Sequence, residues 1–255
     1  MSEQNGEVIF SPLGKKTWET LQWPFVAGPL VIAECGNNHE GDIDVALELL
    51  ERAREAGADF CKFQAGTAEG FARRPEDVPR YKKYELGRYG YDRLLTHGKK
   101  IGMPVFFSVW SEEFAAYRSL QFFKLAARQC TAENIAKYAG ANTFISVPHD
   151  LSATEVLALG ISRGVALHCV SEYPSDHLYP ERFFDLRAIL PPWVPIGYSD
   201  HHVGIAQATR AARSYGAYVI EKHFTLKHDF GPLRDHALSA DPAEFRQLVE
   251  TVKGG

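Results

Sequence analysis

The chain has 255 residues, of which 45% are hydrophobic, 24% charged and 12% aromatic. That composition excludes a disordered segment or a disulfide-held mini-protein and fits one large domain. Its 32 Asp and Glu outnumber 28 Lys and Arg for a formal charge of -4, which argues against a dedicated nucleic-acid binder and favours small-molecule partners.

No apolar run approaches the roughly 18 residues of a membrane span, and Met1 to Phe10 lacks the basic-then-apolar order of a leader. The expectation is a cytoplasmic protein that does not enter the membrane. Cys35, Cys61, Cys130 and Cys169 are widely spaced, with no Cys-x-x-Cys pair, and read as reduced thiols.

Residues 1–29 form an N-terminal extension, read as a hairpin or lid. From Leu30 onward, short runs rich in Val, Ile and Phe alternate with stretches of helical period, as βαβ units require. The runs are Leu30–Glu34, Asp59–Gln64, Val105–Val109, Phe122–Leu125, Thr143–Val147, Val165–Val170, Val194–Ser199 and Tyr218–His223. The first helix has Asp42 as its cap, apolar Ala46, Leu49, Leu50 and Ala53 at spacings of three and four, and Gly57 as its stop. Further helices are expected at Tyr91–Lys100, Glu112–Leu120, Thr131–Tyr138, Ala153–Leu159, Pro180–Ile189, Gly204–Tyr215 and Pro242–Val252.

Eight such units over residues 30–255 predict an α/β fold, a (β/α)₈ TIM barrel, although a doubly wound open sheet satisfies the same count. The connection from Ala65 to Gly90 reads as an unusually long loop. Between Phe71 and Lys100, nine Lys and Arg stand against four Asp and Glu. This charge suits an anionic substrate or, equally, a solvated basic face.

Polar residues interrupt the apolar runs near their C-terminal ends, where barrel enzymes carry their chemistry. Glu34 ends the first run, Lys62 and Gln64 lie in the second, Lys124 in the fourth, Ser146 in the fifth and His168 in the sixth. Ser199 shares a strand face with His201, and Glu221 shares one with His223, because side chains alternate with period two. The two imidazoles could hold a divalent metal with positions left for substrate. Lys62, Lys124, Glu34 and Glu221 are expensive to bury unless paired or functional. They read either as a site for a charged substrate or as a network fixing the barrel register. Walker, dinucleotide, Gly-x-Ser-x-Gly and His-Glu-x-x-His motifs are absent.

Ordered blocks between Val31 and Pro242 carry a resemblance. They are Ile32-Ala33-Glu34-Cys35-Gly36-Asn37-Asn38-His39-Glu40-Gly41-Asp42, Lys62-Phe63-Gln64, Leu167-His168-Cys169 with Tyr173-Pro174, Ile196-Gly197-Tyr198-Ser199-Asp200-His201, Val219-Ile220-Glu221-Lys222-His223-Phe224-Thr225, and Gly231-Pro232 with Asp235-His236. In these the chain resembles the sialic acid synthases, the N-acetylneuraminate synthase group that condenses phosphoenolpyruvate with an N-acetylated hexosamine.

The resemblance implies a barrel in which His201 and His223 hold a divalent ion, Mn²⁺ first, with Mg²⁺ or Co²⁺ as alternatives. It implies phosphoenolpyruvate on Lys62, Lys124, Ser146 and Ser199, and a sugar aldehyde on Glu34, Tyr173, Glu221 and Asp235. The catalytic set is Glu34, Lys62, Lys124 and Glu221, with Gln64, Ser108, Arg128 and His168 completing the substrate-binding residues. A homodimer is a further implication.

Departures from the family's pattern bear on the substrate. Gly-Ser-Gly-Glu is replaced by Ala126-Ala127-Arg128-Gln129, Ser-Thr-Pro by Ser108-Val109-Trp110, and Ser-Thr-Gly-Met by Ser146-Val147-Pro148-His149. Phosphate-binding hydroxyls are thereby lost, and Arg128 is either their replacement or an exposed loop residue. The family's C-terminal antifreeze-like domain, which supplies an arginine to a partner subunit's site, is not in these 255 residues. The expected substitutes are the Ala65–Gly90 connection or the N-terminal segment. Two alternatives stand beside the synthase: a metal-dependent lyase, aldolase, epimerase or hydrolase on another keto acid, and a non-catalytic sugar-acid binding protein.

Overall fold

The computed structural model describes residues 10–11, 14–15, 28–140 and 142–254. Within the expected N-terminal extension, Phe10–Ser11 pairs antiparallel with Gly14–Lys15; the remainder of that hairpin or lid, up to residue 27, lies outside the described residues.

Eight parallel strands close into a barrel in chain order. They are β1 (Leu30–Gly36), β2 (Phe60–Ala65), β3 (Val105–Val109), β4 (Phe123–Leu125), β5 (Thr143–Pro148), β6 (Val165–Cys169), β7 (Ile196–Asp200) and β8 (Val219–His223). The circle closes where β8 pairs with β1, Val219 opposite Leu30 and His223 opposite Glu34. The open doubly wound sheet is thereby excluded.

The helices include α1 (Ile43–Glu55), α4 (Gly87–Ile101), α5 (Ala132–Tyr138), α6 (Ala153–Ala158), α7 (Glu181–Ile189), α8 (Ala206–Tyr215), the short α9 (Asp235–Leu238) and α10 (Pro242–Lys253). Asp42 caps α1 by accepting from the backbone N–H groups of Asp44 and Val45, and Ala46, Leu49, Leu50 and Ala53 form its buried face. At α10, Asp241 and Glu244 form a capping box. Among the described residues no helix is long and apolar enough to cross a membrane.

Two expectations are corrected. The Ala65–Gly90 connection is not a structureless loop: it folds into α2 (Ala68–Phe71), a 3₁₀ turn at Pro75–Asp77 and α3 (Val78–Lys82). Thr67 caps α2 by accepting from Gly70, and Glu85 accepts from the Ala68 N–H, so the segment satisfies its own backbone ends. The helix expected at Glu112–Leu120 is a 3₁₀ segment, Glu112–Ser119, interrupted by non-helical backbone at Phe114.

The barrel interior has two levels. Towards the strand N-termini, Phe60, Phe106, Phe122 and Phe144 form an aromatic plug, with Phe60–Phe122 centroids 4.8 Å apart and Phe106–Phe144 5.2 Å. Ile32, Leu167 and Val219 complete it. Gly197 is required here, because an added Cβ would lie 2.5 Å from both Leu167 Cδ2 and the Val219 carbonyl oxygen. Above the plug the inward positions turn polar, at the C-terminal mouth where barrel enzymes place their chemistry.

Candidate active site

Strand period carries the apolar plug directly into the polar layer: Ile32 is followed inward by Glu34, Phe60 by Lys62 and Gln64, Phe106 by Ser108, and Phe122 by Lys124. Ser146, Ser199 and Glu221 complete the ring, with His201 and His223 at its upper edge. Register makes these groups neighbours, since Glu34 lies opposite Lys62, Gln64 opposite Ser108, Ser108 opposite Lys124, and Ser199 opposite Glu221. They line one cavity of about 170 Å³ that opens to solvent.

The charged layer is a continuous chain of ion pairs, Glu34–Lys62–Glu221–Lys124. Lys62 Nζ lies 2.7 Å from Glu34 Oε2 and 3.6 Å from Glu221 Oε2. Lys124 Nζ lies 2.6 Å from Glu221 Oε1, which also accepts from Ser199 Oγ at 2.8 Å. Lys62 donates to Ser108 Oγ, and Gln64 links Glu34 to Asn37.

Burial raises the Glu34 pKa in spite of Lys62. It would raise that of Glu221 too, but the ammonium groups of Lys124 and Lys62 outweigh it and lower the value. Lys62 is depressed by burial and lifted further by its two carboxylates, for a net rise. Burial and the Lys62 charge leave Lys124 below the ordinary lysine value. Lys124 and Glu34 are thus each displaced towards the neutral form, which fits groups that exchange protons.

The ring centroids of His201 and His223 are 5.4 Å apart. His201 Nδ1 donates to the Val170 carbonyl at 2.5 Å, which fixes the tautomer and leaves Nε2 with its lone pair. Burial lowers the His201 pKa to about 4 and that of His223 well below its ordinary value, so both rings are neutral. The buried Nδ1 of His223 has no hydrogen-bond partner among the described residues. Neutral rings with free nitrogens fit a divalent cation. Tyr173 covers them, stacked on His201 at 4.1 Å and edge-on to His223 at 5.9 Å.

Behind this layer, on the outward face of the same strands, Lys222 Nζ pairs with Asp200 Oδ2 at 3.1 Å and donates to the His202 carbonyl, while Asp200 Oδ1 bonds His202 Nδ1 at 2.8 Å. The only three-ligand cluster among the described residues is elsewhere, at His228, Asp241 and Glu244. Its two carboxylates already serve as the α10 capping box.

Of the residues expected in the site, Glu34, Lys62, Gln64, Ser108, Lys124 and Arg128 line this cavity, as do Ser146, Tyr173, Ser199, His201, Glu221, His223 and Asp235. His168 is the exception and the correction. It alternates with inward-facing Leu167, so it points out of the barrel, its Nε2 2.6 Å from the Leu178 carbonyl and its ring edge-on to Phe183 of α7. The cavity also contains residues not anticipated, notably Asn37, Trp110, Ser171, Arg73, Arg80 and Arg234. The excess charge of residues 71–100 was the available signal for two of them.

Comparison with known proteins gives a consistent result. A family model described as NeuB matches residues 49–254. The N-acetylneuraminate-9-phosphate synthase of Mus musculus is 34% identical over 256 residues, covering 88% of this chain and 69% of that protein. The N,N'-diacetyllegionaminic acid synthase of Campylobacter jejuni is 31% identical, covering 88% and 75%. The crystal structure of N-acetylneuraminic acid synthetase from Leptospira borgpetersenii superposes with a TM-score of 0.77 at 27% identity, covering 89% of this chain and 83% of that one.

Proposed function

The chain belongs to the NeuB family, and on that premise we propose that it is a sugar-acid synthase, a transferase that joins phosphoenolpyruvate to the aldehyde of an open-chain aldose or N-acylated hexosamine. The product is a nonulosonic or related 2-keto-3-deoxy acid. The observation that carries this reading is the buried Lys62, Lys124, Glu34 and Glu221 network beside two neutral imidazoles. A network that only fixed register would not require a cavity above it or rings with free nitrogens.

His201 and His223 would hold a divalent cation. When bound, that cation, Mn²⁺ first among candidates, supplies Lewis-acid polarisation of the acceptor aldehyde. Lys62 and Lys124 orient the donor through its carboxylate and phosphate, with Ser146 and Ser199 as hydroxyl donors. C3 of the enol attacks the aldehyde carbon. Glu34, which burial biases towards its protonated form, gives a proton to the aldehyde oxygen as that bond forms. It then takes one from the water that adds at C2; the C2–O bond to phosphate breaks as the new C2 hydroxyl gives its proton to the departing phosphate, leaving the C2 ketone. Glu221 holds both lysines in position, and Tyr173, Asp235 and Gln64 contact the sugar.

The test incubates the protein with phosphoenolpyruvate, Mn²⁺ and a panel of aldoses. Phosphate release that needs both metal and sugar supports the reading; no release with any aldehyde overturns it. A second reading, a metal-dependent lyase or aldolase on another keto acid, is favoured by Val109, Ala127 and Val147, which offer no side-chain hydroxyl. Tight pyruvate binding without affinity for phosphoenolpyruvate would select it.

A further inference from the structure

Four arginines line the cavity mouth, and Arg234 among them pairs with Asp235 at 3.5 Å; the other three are set apart by having no such pair among the described residues. In the segment joining β2 to α4, Arg74 pairs with Asp77 at 3.1 Å and Glu76 at 3.5 Å, and Lys82 pairs with Glu85 at 2.9 Å. Neither of these cations lines the cavity. Arg73 and Arg80 do line it, and among the described residues neither has a carboxylate within ion-pair distance. Arg128, from the turn after β4, joins them.

Arg128 is held rather than free. Its guanidinium donates to the carbonyls of Gly70 at 3.1 Å and Phe71 at 3.4 Å, and it stacks on Trp110 at 4.4 Å from the ring centroid. Burial, and then the charge of nearby Arg73, push its pKa below the ordinary arginine value. The buried indole N–H of Trp110 also lacks an acceptor among the described residues.

Like charges gathered around a cavity raise its energy until an anion enters. The carboxyl groups of the deeper layer do not serve these arginines, because Glu34 lies against Lys62 and Glu221 against Lys124. Guanidinium forks suit the several oxygens of a phosphate.

We propose that Arg73, Arg80 and Arg128 form a clamp for a phosphate monoester dianion at the mouth of the barrel. Two carriers share that chemistry: the phosphate of the enol donor and a phosphate on the acceptor sugar. The choice between carriers rests on the synthase reading; the clamp itself does not.

Binding of inorganic phosphate is measured by calorimetry for the full chain and for Arg73→Gln, Arg80→Gln, Arg128→Gln and the triple variant, with Arg74→Gln as the control. Loss of a charge-assisted bond predicts about tenfold or greater weakening for the clamp variants and none for the control. Phosphate affinity that is undetectable in the unaltered protein, or unchanged in the triple variant, overturns the clamp. Steady-state kinetics then identify the carrier. A KM rise confined to phosphoenolpyruvate assigns the donor, and one confined to a hexosamine 6-phosphate assigns the acceptor. Arginine-dependent phosphate binding without turnover on any aldehyde would refute the synthase reading and leave the clamp intact.

Discussion

Replacing Glu221 by Gln isolates the charge on which the inner layer depends. The amide keeps an oxygen for the Ser199 hydroxyl, now 2.8 Å away, but removes the negative charge 2.6 Å from Lys124 and 3.6 Å from Lys62. One buried ammonium is then left without a counter-charge, and breaking a buried pair in this way costs about 3–5 kcal/mol. For a domain of this size that corresponds to a fall of roughly 6–20 °C in Tm, at about 2–4 °C per kcal/mol.

The deficit depends on pH. Lys124 lies below its ordinary value of 10.5 in the folded protein, and Glu221 opposes that depression; the variant therefore depresses it further. Between the folded and unfolded values the unfolded chain binds more protons, so stability rises with pH and the deficit shrinks towards 10.5. Urea unfolding at about pH 7 and about pH 9 reads both effects. A loss under about 1 kcal/mol at neutral pH, or one that does not change with pH, would show that the network is solvated and would refute the reasoning.

Lys222→Met leaves the buried Asp200 carboxylate without its ammonium partner and should destabilise by about 3–5 kcal/mol, with most of it recovered in the Lys222→Met/Asp200→Asn double variant; denaturant titration measures both. His168→Phe should cost about 1–3 kcal/mol by orphaning the Leu178 carbonyl, while leaving the KM of the folded enzyme unchanged. A KM shift would return His168 to the substrate site. Burial lowers the His39 pKa from 6.5 to about 3, so its contribution is complete above 6.5 and is lost as pH falls towards 3. Acid titration of His39→Gln should show a flatter decline over that window than the unaltered chain.

Much of the barrel was legible because its punctuation is local. Asp42 and Gly57 bound the first helix, and Val105–Val109 is a strand on its own composition. The pairs Ser199/His201 and Glu221/His223 were readable as sharing a face, because period two fixes relative direction. Absolute direction was not readable for His168. β6 is buried on both sides, so Ala166, Leu167 and Cys169 give no clue to which face is inside. Arg73 and Arg74 were equally indistinguishable, since the short helices around them have no hydrophobic period. Only the capped fold of α2 and the following 3₁₀ turn sends one to the cavity and the other to Asp77. The segment Glu112–Ser119 has helical composition, yet the backbone at Phe114 departs from helical geometry.

The paired imidazoles at the mouth of the barrel are tested most directly by an anomalous-difference map from a crystal soaked in Mn²⁺. The expected result is one peak coordinated by both His201 and His223, lost in the His201→Ala/His223→Ala variant. A peak confined to His228, Asp241 and Glu244, with none between the two rings, would contradict it.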